Sequence, residues 1–113
     1  MSIHCDKYNG VLLVTVAGDL AGEGVADARG AVDEALAHGA TTGVVFDLKN
    51  CDFVDSAGLE MLCALLRRCE KAGTRLAMAR AAGHCAKILE ITRLAGRFEM
   101  NTDLTRAVGA ARL

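Results

Sequence analysis

The N-terminal third of the chain changes rhythm twice. Residues 3–8 mix apolar and polar positions, Asn9-Gly10 follows, and Val11-Leu12-Leu13-Val14-Thr15-Val16 is nearly continuous in apolar character. Asn-Gly favours the two positive φ angles of a type I′ turn, so these segments are expected to pair as a hairpin. The continuous run suits a central strand. Gly18-Asp19-Leu20-Ala21-Gly22 reads as a loop. A helical period then takes over across 24–38, with Val25, Ala28, Val32, Ala35 and Leu36 on one stripe. Gly39 is its expected left-handed stop.

Residues 43–48 (GVVFDL) read as a buried strand. The helical period returns over 57–72, where Leu59, Leu62, Cys63, Leu66 and Cys69 form one face and Gly73 ends it. Met61 and Leu65 fall off that face. They either pack against the next helix or form an exposed apolar patch. Residues 74–79 (TRLAMA) predict a fourth strand. Residues 84–95 predict a third helix, with Cys85, Ile88, Leu89 and Thr92 inward and Gly96 as its stop. Residues 97–100 suit a short fifth strand, and Thr102 or Asp103 caps a last helix through Ala107, Val108 and Ala111.

A hairpin followed by repeated helix–strand units predicts an α/β fold in a single domain, 1–113. Its mixed sheet has about five strands, antiparallel in the hairpin and parallel thereafter, with about four helices. Ligands of such sheets bind at the carboxyl ends of the strands.

Composition narrows the function. The chain has 113 residues, 52% of them hydrophobic, enough for a core without metals or bridges. The net charge is −1 and no long Lys/Arg run occurs, so a nucleic-acid footprint is absent. No apolar run approaches the roughly 20 residues of a membrane span. The N-terminal residues lack the apolar centre of a signal peptide. The five cysteines, Cys5, Cys51, Cys63, Cys69 and Cys85, form no C-x-x-C pair. That argues against a disulfide framework or zinc site and for reduced, mostly buried thiols in a cytoplasmic protein. His84 and Cys85 are adjacent, but neighbours on a helix point different ways.

The chemistry concentrates in Phe53-Val54-Asp55-Ser56-Ala57-Gly58-Leu59, just past the third strand. Three roles are open to Ser56. It can cap the helix, although Leu59 stands where a capping box wants Glu or Gln. It can act as a nucleophile, but the G-x-S-x-G elbow lacks its first glycine. Nothing in the sequence fixes His4, His38 or His84 beside Ser56 as a general base. It can accept a phosphate, which a helix N-terminus tolerates. The phosphate would add about −1.5 to −2 charges next to Asp55 and close to Asp19.

Val45-Phe46-Asp47-Leu48-Lys49-Asn50-Cys51-Asp52-Phe53-Val54-Asp55-Ser56-Ala57-Gly58-Leu59 resembles the STAS domain signature, and its D-S-A-G-L core resembles the phosphorylated motif of bacterial anti-sigma factor antagonists. Gly18-Asp19-Leu20 and Leu89-Glu90-Ile91-Thr92-Arg93-Leu94 are similar to two further family motifs. The resemblance implies that Ser56 is phosphorylated by an anti-sigma factor serine kinase of the GHKL type and restored by a PP2C-type phosphatase. It implies that the unphosphorylated form binds the anti-sigma factor and frees a sigma factor. Asp55 and Gly58 match the rest of the motif. Asp19, Asp55, Ser56, Ala57, Gly58 and Met61 are the expected partner-binding residues. Nucleotide and Mg²⁺ belong to the kinase, so no catalytic residue, cofactor or metal is expected in this chain. Two positions depart from the pattern: Ala21 replaces a frequent Asp, and Arg80-Ala81-Ala82-Gly83 replaces an Asn-Pro turn.

Two other readings compete. Some STAS proteins resemble structural subunits of lipid-transport ABC systems or stress-signalling assemblies. A response-regulator receiver would use Asp47, but the acidic pair it needs after the first strand is missing.

Overall fold

The computed structural model describes residues 2–37, 41–101 and 103–111. Element order is β1 (Ser2–Tyr8), β2 (Val11–Leu20), α1 (Gly24–Ala37), β3 (Gly43–Val54), α2 (Ser56–Ala72), β4 (Arg75–Ala79), α3 (Gly83–Ile91), a 3-10 turn (Leu94–Gly96), β5 (Glu99–Asn101) and α4 (Leu104–Ala111). The strands lie in the order β1-β2-β3-β4-β5. β1 and β2 pair antiparallel, while each later neighbour pairs parallel. This is the mixed α/β sheet with four helices that the pattern predicts.

Local chemistry explains the joints. Asn9 and Gly10 both take positive φ, 48° and 89°, as a type I′ turn requires. Gly73 sits at φ 70° beyond α2. Its amide reaches Glu70 O and that of Thr74 reaches Cys69 O, a Schellman closure. Asp103 accepts from the Thr105 amide at 2.8 Å and caps α4. The expected helix end at His38, the Gly39 stop and the alternative cap Thr102 lie outside the described residues.

The sheet has two unequal faces. α1, α2 and α3 cover one with Val32, Leu62, Leu66 and Leu89 over Val14, Phe46 and Met78. α4 covers the other, its Ala107 against Val11, Leu13, Val45 and Ala77.

Four expectations need correction. The segment 18–20 is strand, not loop: β2 runs on to Leu20 beside an extended β3, with register shifts between Thr15 and Ala17 and between Gly18 and Asp19. α3 stops at Ile91, not near Gly96, because Arg93 turns left-handed at φ 63°. A continued helix would rotate Leu94 about 140° away from Leu89. The break instead brings Leu94 and Phe98 into the core, and Thr92, expected inward, is exposed.

The last correction concerns α2. Its buried residues are Gly58, Met61, Leu62, Leu65, Leu66 and Cys69, while Leu59 and Cys63 are only half-buried. Met61 and Leu65 are 3% and 1% exposed, so they are core and form no surface patch.

Candidate functional site: the β3–α2 corner

β2 and β3 end side by side, with Asp19 opposite Phe53 and Leu20 opposite Val54. One residue, Asp55, then joins β3 to α2. Its backbone is extended, at φ −87° and ψ −178°, as an N-cap requires. Oδ1 accepts from the Gly58 amide at 2.8 Å and Oδ2 from the Gly22 amide at 3.2 Å. The Asp55 amide donates to Leu20 O at 3.3 Å. One carboxylate thus binds the start of α2 to the loop before α1, and its charge complements the helix dipole.

Gly58 makes this closeness possible. A Cβ there would lie 2.4 Å from Leu20 O and 2.8 Å from a Val54 methyl. A side chain is sterically excluded, and the contact also fixes the rotation of α2 that buries Met61.

Ser56 is therefore the first helical residue and not the cap, which corrects the capping role open to it in the sequence. It is exposed. Among the described residues its hydroxyl has no hydrogen-bond partner, and neither described histidine serves it. His84 stacks on Phe53 with ring centroids 5.2 Å apart, and His4 pairs with Asp6 at 3.0 Å. Neither described histidine can therefore act as its general base, and an exposed hydroxyl at a helix N-terminus is accessible to an external phosphoryl donor.

The expected binding residues are only partly brought together. Asp55, Ser56, Ala57 and Gly58 share the first turn of α2, with Ser56 and Ala57 exposed. Asp19 is exposed on the same edge one strand away. Met61 points inward.

Three features of this edge escaped the sequence reading. Asp47, 4% exposed, accepts from Arg80 Nε at 3.0 Å, from a second Arg80 nitrogen and from the Lys49 amide at 3.2 Å. That pairing occupies both carboxylate oxygens and leaves none free for receiver chemistry. It also holds the guanidinium pKa above its ordinary value. Buried Cys51 on β3 and buried Cys85 in the first turn of α3 are neighbours, and the Cys51 thiol donates to Phe53 O at 3.5 Å. The neighbouring Cys85 thiol and backbone contacts at Leu20 and Phe53 lower the Cys51 pKa to about 7, while Cys51 and burial push that of Cys85 up. The third is an open cavity of about 900 Å³ across the outer side of α2. The first two join residues more than thirty positions apart, which no local periodicity reveals.

The sheet thus carries at its carboxyl edge an exposed serine on the first turn of a helix that Asp55 caps. The family model described as "Mlab, STAS domain" matches residues 4–105. The chain belongs to the STAS domain family. Among solved structures it is similar to the anti-sigma factor antagonist SpoIIAA in its unphosphorylated form, at 19% identity and TM-score 0.86 over 98% of this chain and 96% of that one. It is similar to an anti-sigma factor antagonist from Mycobacterium paratuberculosis, at 21% identity and TM-score 0.85 over 99% and 94%. A third is the Bacillus cell fate determinant SpoIIAA in the phosphorylated form, at 19% identity and TM-score 0.80 over 98% and 100%. At these identities the likeness concerns the fold. No curated protein matches the chain.

Proposed function

We propose that this protein is a phosphorylation-switched anti-sigma factor antagonist. Its unphosphorylated form binds a GHKL-type anti-sigma factor kinase and releases a sigma factor; phosphorylation of Ser56 ends that binding, and a PP2C-type phosphatase restores it. The observation that carries the reading is Ser56 itself, exposed and unpartnered at the first position of a helix that Asp55 already caps. Capping by Asp55 frees the serine hydroxyl for modification. The chain is then substrate and switch, not catalyst, and acts in the cytoplasm; no described helix is long and apolar enough to cross a membrane.

The switch needs no refolding. Phosphate on Ser56 enters a surface already carrying Asp55, with Asp19 on the same edge. Mispaired charge in a close interface costs several kcal/mol, and about 2.8 kcal/mol is already a hundredfold in affinity. Incubation with the kinase and ATP, followed by peptide mapping, is expected to place phosphate on Ser56 alone. Phosphate on Thr41 or Thr42 with Ser56 unmodified would refute the reading. Matched NMR spectra of the two forms should differ only near Asp19, Ser56 and the first turn of α2. Large shifts around Leu104 and Val108 would instead mean a conformational change.

A second reading has one observation in its favour: the matching family model is described as Mlab and not as an anti-sigma factor antagonist. In that reading the domain is a structural subunit of a lipid-transport ABC system, and Ser56→Ala leaves its function unchanged. Co-purification with an ABC ATPase, undiminished by Ser56→Ala, would select it.

A further inference from the structure

The cavity across α2 begins at the switch and ends in a patch of opposite charge. Gly22 and Ala57 line the end beside Ser56. Half-buried Val25, Leu59 and Cys63 give the cavity an apolar lining, to which buried Met61 also contributes. Ala57 and Ala64 are seven residues apart, so they lie on one stripe of α2 and keep its outer ridge low there. Arg29 and Arg67 stand at the far end. A second cavity of about 320 Å³ continues from it, lined by Arg29, Ala64, Arg67, Arg68 and Lys71.

Charge along this track is ordered. Glu60 lines its near part, and Asp55 accepts from the amide of Gly22 at its start. Four cations gather at its end in a chain whose net charge is −1. Among the described residues Asp33 pairs with that cluster, holding Arg68 and, at 3.7 Å, Arg29. Arg67 and Lys71 have no ion-pair partner there. From Ser56 to Arg67 the rise of α2 is about 17 Å, three turns of a docked helix.

We propose that this track is the docking groove for an amphipathic helix of the kinase partner, with apolar residues along Val25, Leu59 and Cys63 and carboxylates at the end that meets Arg29 and Arg67. The inference rests on the phosphoswitch reading and adds to it the partner's chemistry. A helix lying in an apolar groove with its charges matched at the rim is a recurrent recognition mode. The order of charge sets its direction, because the reversed helix would place carboxylates over Asp55 and Glu60. Phosphate on Ser56 would enter the near end of the track, about 17 Å from the far cations, and end binding by keeping that end from closing.

The test uses the full chain and two labelled helical peptides of about four turns. Both carry the same leucine stripe; one has glutamates at its distal end, the other lysines. Fluorescence anisotropy should show the acidic peptide binding roughly tenfold tighter, with NMR shifts confined to α1, the outer side of α2 and the Thr92–Leu94 rim. Arg67→Glu, an exposed and unpaired position, should reverse the preference without lowering the melting temperature. Equal binding of the two peptides, shifts elsewhere, no effect of Arg67→Glu, or full competition by inorganic phosphate would each overturn the proposal. With the kinase that modifies Ser56, Arg67→Glu should raise KM and spare kcat. Loss of peptide selectivity while Ser56 is still phosphorylated counts against the groove alone. Selective peptide binding by a chain never phosphorylated on Ser56 counts against the phosphoswitch.

Discussion

Two strand-to-helix corners share the carboxyl edge of the sheet, and they are built by different means. At the β3–α2 corner one residue turns the chain, and its carboxylate binds helix and loop amides. At the β4–α3 corner three residues, Arg80, Ala81 and Ala82, make the turn, with Arg80 left-handed at φ 58°. There α3 has no side-chain cap, since Ala82 stands at the N-cap position. The corner's buried carboxylate, Asp47, neutralises Arg80 and does nothing for the helix. Topology alone would allow a site at either corner. The capping chemistry separates them: one presents an acidic turn with a free hydroxyl, the other a neutralised ion pair beneath an uncapped helix.

The glycines of the two corners give the sharpest test, and the largest effect. Gly58 is helical in backbone, so alanine there meets no torsional penalty, but its Cβ would collide with Leu20 O. Gly58→Ala should cost about 1–3 kcal/mol or more by overpacking, read as a lower urea midpoint at unchanged m-value. It should also displace the start of α2 and abolish phosphorylation of Ser56. A stability within 0.5 kcal/mol of the parent, the scatter of neutral surface changes at about that size, would show that the close contact is not needed.

Asp55 comes next. Asp55→Ala removes the acceptor of two amides, Gly58 and Gly22. The expected loss is about 2 kcal/mol, the upper end for a cap. Asp55→Asn keeps one acceptor oxygen for the Gly58 amide but sets an NH2 against the Gly22 amide, so its urea midpoint should fall between those of the parent and Asp55→Ala. If Asp55→Asn unfolds as easily as Asp55→Ala, the single bond to the Gly58 amide does not suffice as a cap. The contrasting change at the other corner is Gly83→Ala. Gly83 has φ 55° and open space where a Cβ would stand, so the cost is torsional only, about 1 kcal/mol, with no effect at Ser56.

These contrasts also mark how far the sequence could be read. The hairpin followed from Asn9-Gly10 and the α2 stop from Gly73, because glycine and asparagine state their backbone needs locally. The place of Ser56 at the carboxyl edge of the sheet followed from strand order. The cap did not: Asp55 and Ser56 are both good N-cap residues, and only the approach of Leu20 decides between them. The buried face of α2 was ambiguous for a similar reason. A stripe through Leu59 and Cys63 and one through Met61 and Leu65 share Leu62, Leu66 and Cys69, and the tie is broken by Gly58 against β2. Asp47 and Arg80 are 33 positions apart, so no spacing rule joins them.

The smallest expected effect concerns the stitch between the corners, Cys51 on β3 and Cys85 in the first turn of α3. The neighbouring Cys85 thiol is the largest cause that lowers the pKa of Cys51 from its ordinary value near 9 to about 7. The pKa of Cys85 moves up, so it stays protonated. Because the folded value of Cys51 lies below the unfolded one, its ionisation favours the folded state. That contribution builds as pH rises through about 7 and is lost as pH falls back through it. Above the ordinary thiol value near 9, Cys85 opposes it, since only the unfolded chain can then ionise that group. Ultraviolet absorbance of the native protein should therefore show one thiolate forming near pH 7, well before Cys69, which burial raises to about 11. Cys51→Ala should remove this step, and Cys85→Ala should move it towards 9, the ordinary value. A step unchanged by Cys85→Ala would mean that the Cys51 backbone contacts suffice, and that the corners are held together by the Phe53–His84 stack and apolar packing alone.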